Sequence, residues 1–199
     1  MQAPFPKKIS IVIFDDAELL DFAGPIEVFS KVPELEIELL SSSGLPVMTS
    51  QGVSIGVDGE FEAISGDTLL VPGGQGSRLL VDDEAFLAEL RYMAKNTQTI
   101  MSVCTGSALL AAAGLLEGYA ATSNKRAFAW ATSCGSEVKW HRSARWIHDR
   151  DRWTSSGVTA GIDMTAAFIA NRWGSRMSKE IADSIELRLN LDSDDDPFA

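Results

Sequence analysis

The chain has 199 residues, 45 % apolar and 23 % charged, which excludes a disordered polypeptide and suffices for a sizeable core. Its formal net charge is −11, with no block of lysines or arginines to offset it, which argues against a phosphate backbone and hence a nucleic-acid partner. No apolar run reaches the roughly 18–20 residues of a membrane helix, and the opening MQAPFPKKIS lacks the apolar centre of a signal peptide, so the expectation is a cytoplasmic protein with no membrane partner.

KKISIVIF (Lys7–Phe14) is a short run rich in β-branched residues and predicts a buried strand. DDAELLDFAGP then reads as a loop, and GPIEVFSKV as a helix with Pro25 in its tolerant first turn. ELEIELLSSS alternates as a second strand, and PVMTSQGVSIGVD reads as a hairpin broken at Gln51–Gly52. DTLLVPGGQG (Asp67–Gly76) is a buried strand ending at Pro72, Gly73 and Gly74. DDEAFLAELRYMAKN predicts an amphipathic helix with Phe86, Leu87, Leu90 and Met93 on one face and acids in its first turn. TIMSVC is a further strand, and TGSALLAAAGLL a helix that stops near Gly118. SARWIHDRDRWTSSG predicts a hairpin turning at Asp149–Asp151, and its interleaved acids argue against a nucleic-acid face. TAGIDMTAAFIANRWG is a helix ending at Gly174, SKEIADSIELRL is the last helix, and residues 192–199 form an acidic tail.

Strands alternating with helices imply the α/β class, with a mostly parallel central sheet covered on both faces. No repeat, linker or shift in composition divides residues 1–199, so one domain is expected. Ligands of such sheets collect beyond the carboxyl ends of the strands. Three loops lie at such ends: Asp15–Gly24, Pro72–Gly76 and the Cys104–Thr105 junction.

The two cysteines, Cys104 and Cys134, cannot build a disulfide framework. No Cys/His cluster has zinc spacing, and with only His141 and His148 no metal site is expected. Cys104 falls at a strand-to-helix turn, where the helix dipole and free backbone N–H groups favour a thiolate. It is either a nucleophile or a small buried hydrophobe. Asp21 lies between apolar neighbours, which favour its protonated form. It either shares a proton with the thiol or caps the helix near Pro25. The glycines of PGGQG allow backbone N–H groups to approach a reacting atom, and with the N–H after Cys104 they could cradle a developing negative charge.

In order along the chain, LLDFAGPIEVF, LLVPGG, SVCTGSALLAAAGLL and TSSGVTAGIDM resemble the ThiJ/PfpI superfamily. The likeness runs from about Lys7 to Gly174, and DFAGP with SVCTGS is most similar to its isonitrile hydratase branch. The resemblance implies a flavodoxin-like three-layer α/β sandwich, usually homodimeric, with Cys104 as the nucleophile on a strained elbow. It implies Asp21 as the acidic partner, and the N–H groups of Gly74 and Thr105, beside Gly73, facing the reacting atom. Two positions depart from the wider pattern. Thr105 stands where the peptidase-like branch has His, and TSNK stands where many relatives read TTHW, placing Asn124 at a frequent His position. A Cys–His hydrolase base is therefore missing. His141 and His148 read as surface or packing residues, Trp153 either as core or as part of the pocket lining, and Cys134 as structural. A helix-turn-helix domain, present in some relatives that regulate transcription, is not expected in this length. The implied activity is cofactor-free hydration of a small electrophile such as an isonitrile to an N-formamide through a covalent thioimidate. The alternatives are a glyoxalase or deglycase acting on methylglyoxal-like aldehydes, and a non-enzymatic cysteine redox sensor.

Overall fold

Burial on both faces accounts for the innermost strands: every residue of TLLV and TIMS is buried, as is ISIV after Lys8, in the computed structural model, which describes residues 5–199. Residues 1–4, which open the stretch read above as lacking a signal peptide, lie outside the described residues. In chain order the elements are β1 (Lys8–Val12), α1 (Leu19–Phe29), β2 (Glu36–Ser41), β3 (Val47–Met48), β4 (Ser54–Ile55), β5 (Gly59–Glu60), β6 (Thr68–Val71), α2 (Ser77–Leu80) and α3 (Glu84–Lys95). They continue with β7 (Thr99–Ser102), α4 (Gly106–Ala112), β8 (Ala120–Ala121), α5 (Phe128–Ala131), β9 (Lys139–Trp140), β10 (Trp146–Asp149), β11 (Arg152–Ser155), α6 (Ala160–Trp173) and α7 (Ser175–Ser184).

The main sheet runs β10-β11-β7-β6-β1-β2-β5. Only β10 is antiparallel to its neighbour, so this is the mostly parallel α/β architecture expected. Its register lines up Leu39, Ile11, Leu70, Met101 and Trp153 across five strands. One helical layer closes through Phe168 of α6, whose ring meets Phe29 of α1 at 6.0 Å and Trp153 of β11 at 5.4 Å. Phe86 of α3 packs edge-on against Phe14 and Phe61. The expected β3–β4 hairpin forms, turning through Gly52, and Asp83 caps α3 through Ala85 and Phe86 N–H.

Three sequence expectations change. DDAELLDFAGP is not a loop throughout: α1 begins at Leu19, so Pro25 is an interior residue and Asp21 lies in the first turn. Asp21 makes no side-chain cap; its carboxylate reaches out of the helix to Gly73. Local Asp, Gly and Pro signals were outweighed by burial of Phe22, Val28 and Phe29. The helix α4 ends at Ala112 rather than near Gly118, because Gly114 takes the left-handed conformation (φ 74°) that terminates helices. The acidic tail is not simply a solvated one. Asp196 is buried, its N–H donates to Ser143 O, and its carboxylate faces Lys125 and Arg145 at 4.0 Å each. Two buried cations draw one acid of the tail inward.

Arg145 also pairs with Asp163 at 2.6 Å, both nearly sealed from water. Breaking such a pair by removing one partner strands the other charge. Asp163→Ala is expected to lower unfolding free energy by about 3 kcal/mol, read as a fall in the urea midpoint. Adding Arg145→Met should recover part of the loss; a neutral single variant would show that the pair does not stabilise the fold.

Candidate functional site

Cys104 leaves β7 with φ +58°, a backbone conformation that non-glycine residues rarely adopt. Its surroundings over-determine that strain. The Cys104 N–H donates to Ser156 O at 3.0 Å, and its carbonyl accepts from Ser107 Oγ and Ser123 Oγ, both at 3.1 Å. Gly106 makes the sharp turn possible, since a Cβ there would sit 2.2 Å from Val71 O. The turn leaves the sulfur among donors: the N–H groups of Thr105 and Val158, and Asn124 Nδ2 at 3.2 Å.

Asp21 is fully buried beside it. Its Oδ2 accepts from the Gly73 N–H at 2.9 Å, while Oδ1 has no hydrogen-bond partner, and the Cys104 thiol lies beside the carboxyl. Burial, aided by the charge of Glu18, pushes the Asp21 carboxyl up to about 7 against the opposing pull of the Gly73 N–H and the thiol. Burial and the Asp21 carboxylate push the Cys104 thiol up to about 12, opposed by the Thr105 and Val158 N–H groups and by Asn124. Both shifts run against the thiolate expected from the helix start: burial and the neighbouring carboxyl favour the protonated sulfur, while the donors favour its ionised form. The pair behaves as one titrating unit.

Above the pair opens a cavity of about 500 Å³, lined by Cys104, Thr105, Gly74 and Asn124, with Glu18, Ser50, Gln75, Arg78, Arg126, Ala127 and Val158 completing the wall. All three loops predicted to meet do so here. The expected cradle of N–H groups is rearranged, however. Gly73 donates to Asp21, Gly74 N–H reaches Thr105 Oγ1 at 3.0 Å, and of these three only the Thr105 N–H faces the sulfur. Gly73 and Gly74 thus brace the loop and do not present free donors to a charge on a ligand. Sequence reasoning treated Asn124 as a lost base and missed it as a thiol donor. It also missed Val158, whose N–H arrives from the turn before α6, and the two arginines. For Asn124, its place in TSNK was a signal; for the others none was legible.

The remaining candidates lie elsewhere. His148 stacks on Trp153 at 3.9 Å, His141 is exposed, and neither lines the cavity. Trp153 is core and does not line the cavity, and Cys134 Sγ sits 3.6 Å from Trp130 O outside the cavity wall. A separate cavity of about 440 Å³ beside Phe61 and Tyr92 holds no cysteine. Among the described residues no cluster of His, Cys, Asp and Glu could hold a metal, and no helix is long and apolar enough to cross a membrane.

Comparison with known proteins bears on this site. The model of the DJ-1/PfpI family matches residues 7–171. An isonitrile hydratase of Pseudomonas putida is 34 % identical over 158 residues, 78 % of this chain and 68 % of the relative. The HTH-type transcriptional regulator GbdR of Pseudomonas aeruginosa is 31 % identical over 189 residues, 89 % of this chain but only 50 % of the regulator. Among solved structures, a ThiJ/PfpI family protein from Pseudomonas syringae superposes with a TM-score of 0.81 at 27 % identity, covering 95 % of this chain and 77 % of that one.

The coupling has a sign that titration reads. Asp21→Asn removes the carboxylate that opposes thiol ionisation, so the pH profile of Cys104 alkylation by iodoacetamide should move down by about one unit or more. Asn124→Ala removes a donor and should move it up. A profile unmoved by Asp21→Asn would mean that the two groups do not share a proton. Linkage follows from the same shift: the folded carboxyl titrates at about 7, above its unfolded value of 3.8. Its stabilising effect is full below that unfolded value and is lost as pH rises through about 7. Asp21→Asn should therefore flatten the pH dependence of unfolding over that window.

Proposed function

The chain belongs to the DJ-1/PfpI family, and within it we propose that it is a cysteine-dependent hydratase that converts a small isonitrile to an N-formamide. The observation that carries this reading is a buried Asp21 carboxyl with one unpartnered oxygen beside the Cys104 thiol, which itself lines a cavity. The 34 % identity to an isonitrile hydratase supports the substrate class.

With the thiol protonated at rest, Asp21 in its carboxylate form is the general base. Cys104 Sγ bonds to the terminal isonitrile carbon while its proton passes to Asp21 Oδ1. Asp21 then delivers that proton to the same carbon, giving a thioimidate, R–N=CH–S–Cys104. Water adds to this C=N bond: its oxygen bonds to carbon, one of its protons reaches nitrogen through Asp21, and a tetrahedral R–NH–CH(OH)–S–Cys104 forms. The C–S bond breaks, the hydroxyl proton returns to sulfur, and the N-formamide leaves. One water is consumed, and both residues end as they began. The Asn124 amide and the Thr105 and Val158 N–H groups stabilise sulfur while it carries negative charge. Thiol, acid and donors all come from the chain, so the reading needs no cofactor, and it takes the protein as a cytoplasmic homodimer.

Two other activities fit the site less well. Aldehyde rearrangement of the glyoxalase kind moves a proton between carbons and calls for a second base, and the amide at position 124 cannot serve. Redox sensing favours an ionised, accessible sulfur, whereas Cys104 is 7 % exposed and its burial disfavours the thiolate.

Turnover of para-nitrophenyl isocyanide is the test. Cys104→Ala should abolish it, and Cys134→Ala should leave it nearly intact; equal losses would assign the wrong thiol. With Asp21 as base, kcat/KM should climb as pH rises through about 7, and a flat profile there would remove Asp21 from that role. Light scattering at twice the 21.5 kDa chain mass is the expected reading for the dimer.

A further inference from the structure

The wall of the Cys104 cavity carries a charge pattern that hydration of a neutral isonitrile does not use. Arg78, from α2, and Arg126, two residues beyond Asn124, both line it. Among the described residues neither makes an ion pair, nor do Arg142, Arg172 and Arg188, whereas Arg91, Arg145, Arg150, Arg152 and Arg176 each hold a carboxylate. What distinguishes Arg78 and Arg126 is their place: in a chain with 28 acids against 17 basic residues, two guanidinium groups without a carboxylate partner share the wall of one cavity. Arg78 is also restrained: its Cζ lies 4.0 Å from the centre of the Trp130 ring on α5. The one acid of the wall, Glu18, is engaged elsewhere, accepting from Gln51 Nε2 at 2.8 Å.

A guanidinium presents a planar fork of donors that matches a carboxylate, and a restrained one loses less conformational freedom on binding. The cavity therefore offers a nucleophilic sulfur on its floor and anion-binding donors on its wall, within one space of about 500 Å³. We infer that the site selects small electrophiles bearing a carboxylate, with Arg78 and Arg126 as the specificity-determining residues that hold that carboxylate while the electrophilic carbon meets Cys104. The inference rests on Cys104 as nucleophile, and it narrows the substrate to an acid-bearing member of the proposed class, such as isocyanoacetate.

The test compares iodoacetate with iodoacetamide as alkylating agents of Cys104, in a Cys134→Ala background. In both, sulfur displaces iodide from carbon and the thiol proton is lost; the reagents differ in charge. The two arginines are exposed, so each attraction is modest. The ratio of iodoacetate to iodoacetamide rate constants should exceed that of a cysteine in a short neutral peptide by about fivefold. Arg78→Gln with Arg126→Gln should bring the ratio back to the peptide value, and an unchanged urea midpoint reports that the variant folds. A ratio equal to the peptide's, or one that survives both substitutions, overturns the inference. Turnover of isocyanoacetate and para-nitrophenyl isocyanide separates the two failures. Hydration of both at equal kcat/KM with no alkylation preference sinks the anion site alone. Turnover of neither, with the alkylation preference intact, sinks the hydratase reading and leaves the anion site standing.

Discussion

A buried carboxylic acid shared between a backbone N–H and a thiol is the constraint on which the site depends. Asp21 is fully enclosed, and Gly73 answers one of its two oxygens. An unpartnered carboxylate oxygen in such surroundings is costly unless the group keeps its proton or borrows one. The nearby thiol has a proton to lend. Burial raises both groups together, so neither ionises freely, and the proton moves between them when a ligand changes the balance.

The backbone is arranged around that exchange. Cys104 holds a left-handed conformation because three hydrogen bonds grip its amide and carbonyl from Ser107, Ser123 and Ser156. Those serines come from α4, from the segment after β8 and from the segment after β11, so the elbow is fastened to three separate parts of the chain. Gly73 and Gly74, which looked like free donors, tie the β6 loop to Asp21 and Thr105. The loop thereby holds the acid in place. A second buried charge cluster lies immediately behind Asn124, where Lys125 donates to Thr122 Oγ1 at 2.7 Å and Ala144 O at 2.6 Å, with Asp196 of the C-terminal segment 4.0 Å away. That cluster anchors the strand of chain from which the thiol's amide partner projects.

Much of the architecture was legible because its signals are local or periodic. The runs ISIV, TLLV and TIMS are short, apolar and β-rich, and the spacing of Phe86, Leu87, Leu90 and Met93 is helical. The errors came where a tertiary contact outweighed a local signal. Asp21–Pro25 carries turn residues, yet burial of its apolar neighbours extends α1 through them. Asp196 sits among acids that belong in water, yet Lys125 and Arg145 hold it inside.

By itself the sequence determined the α/β class, the order of the elements and the placement of Cys104 at a strand-to-helix turn, with Asp21 and the PGGQG loop at neighbouring strand ends. Hydrophobic period and turn chemistry act over a few residues, and a parallel sheet brings its strand ends to one edge. Only the tertiary structure decided the burial that opposes ionisation of the thiol, the donors that Asn124 and Val158 supply, the engagement of the Gly73 and Gly74 N–H groups, and the two arginines on the cavity wall. Each of these depends on how deeply a group is buried and on which distant segment faces it, and burial opposes the ionisation that a helix start alone favours in a cysteine.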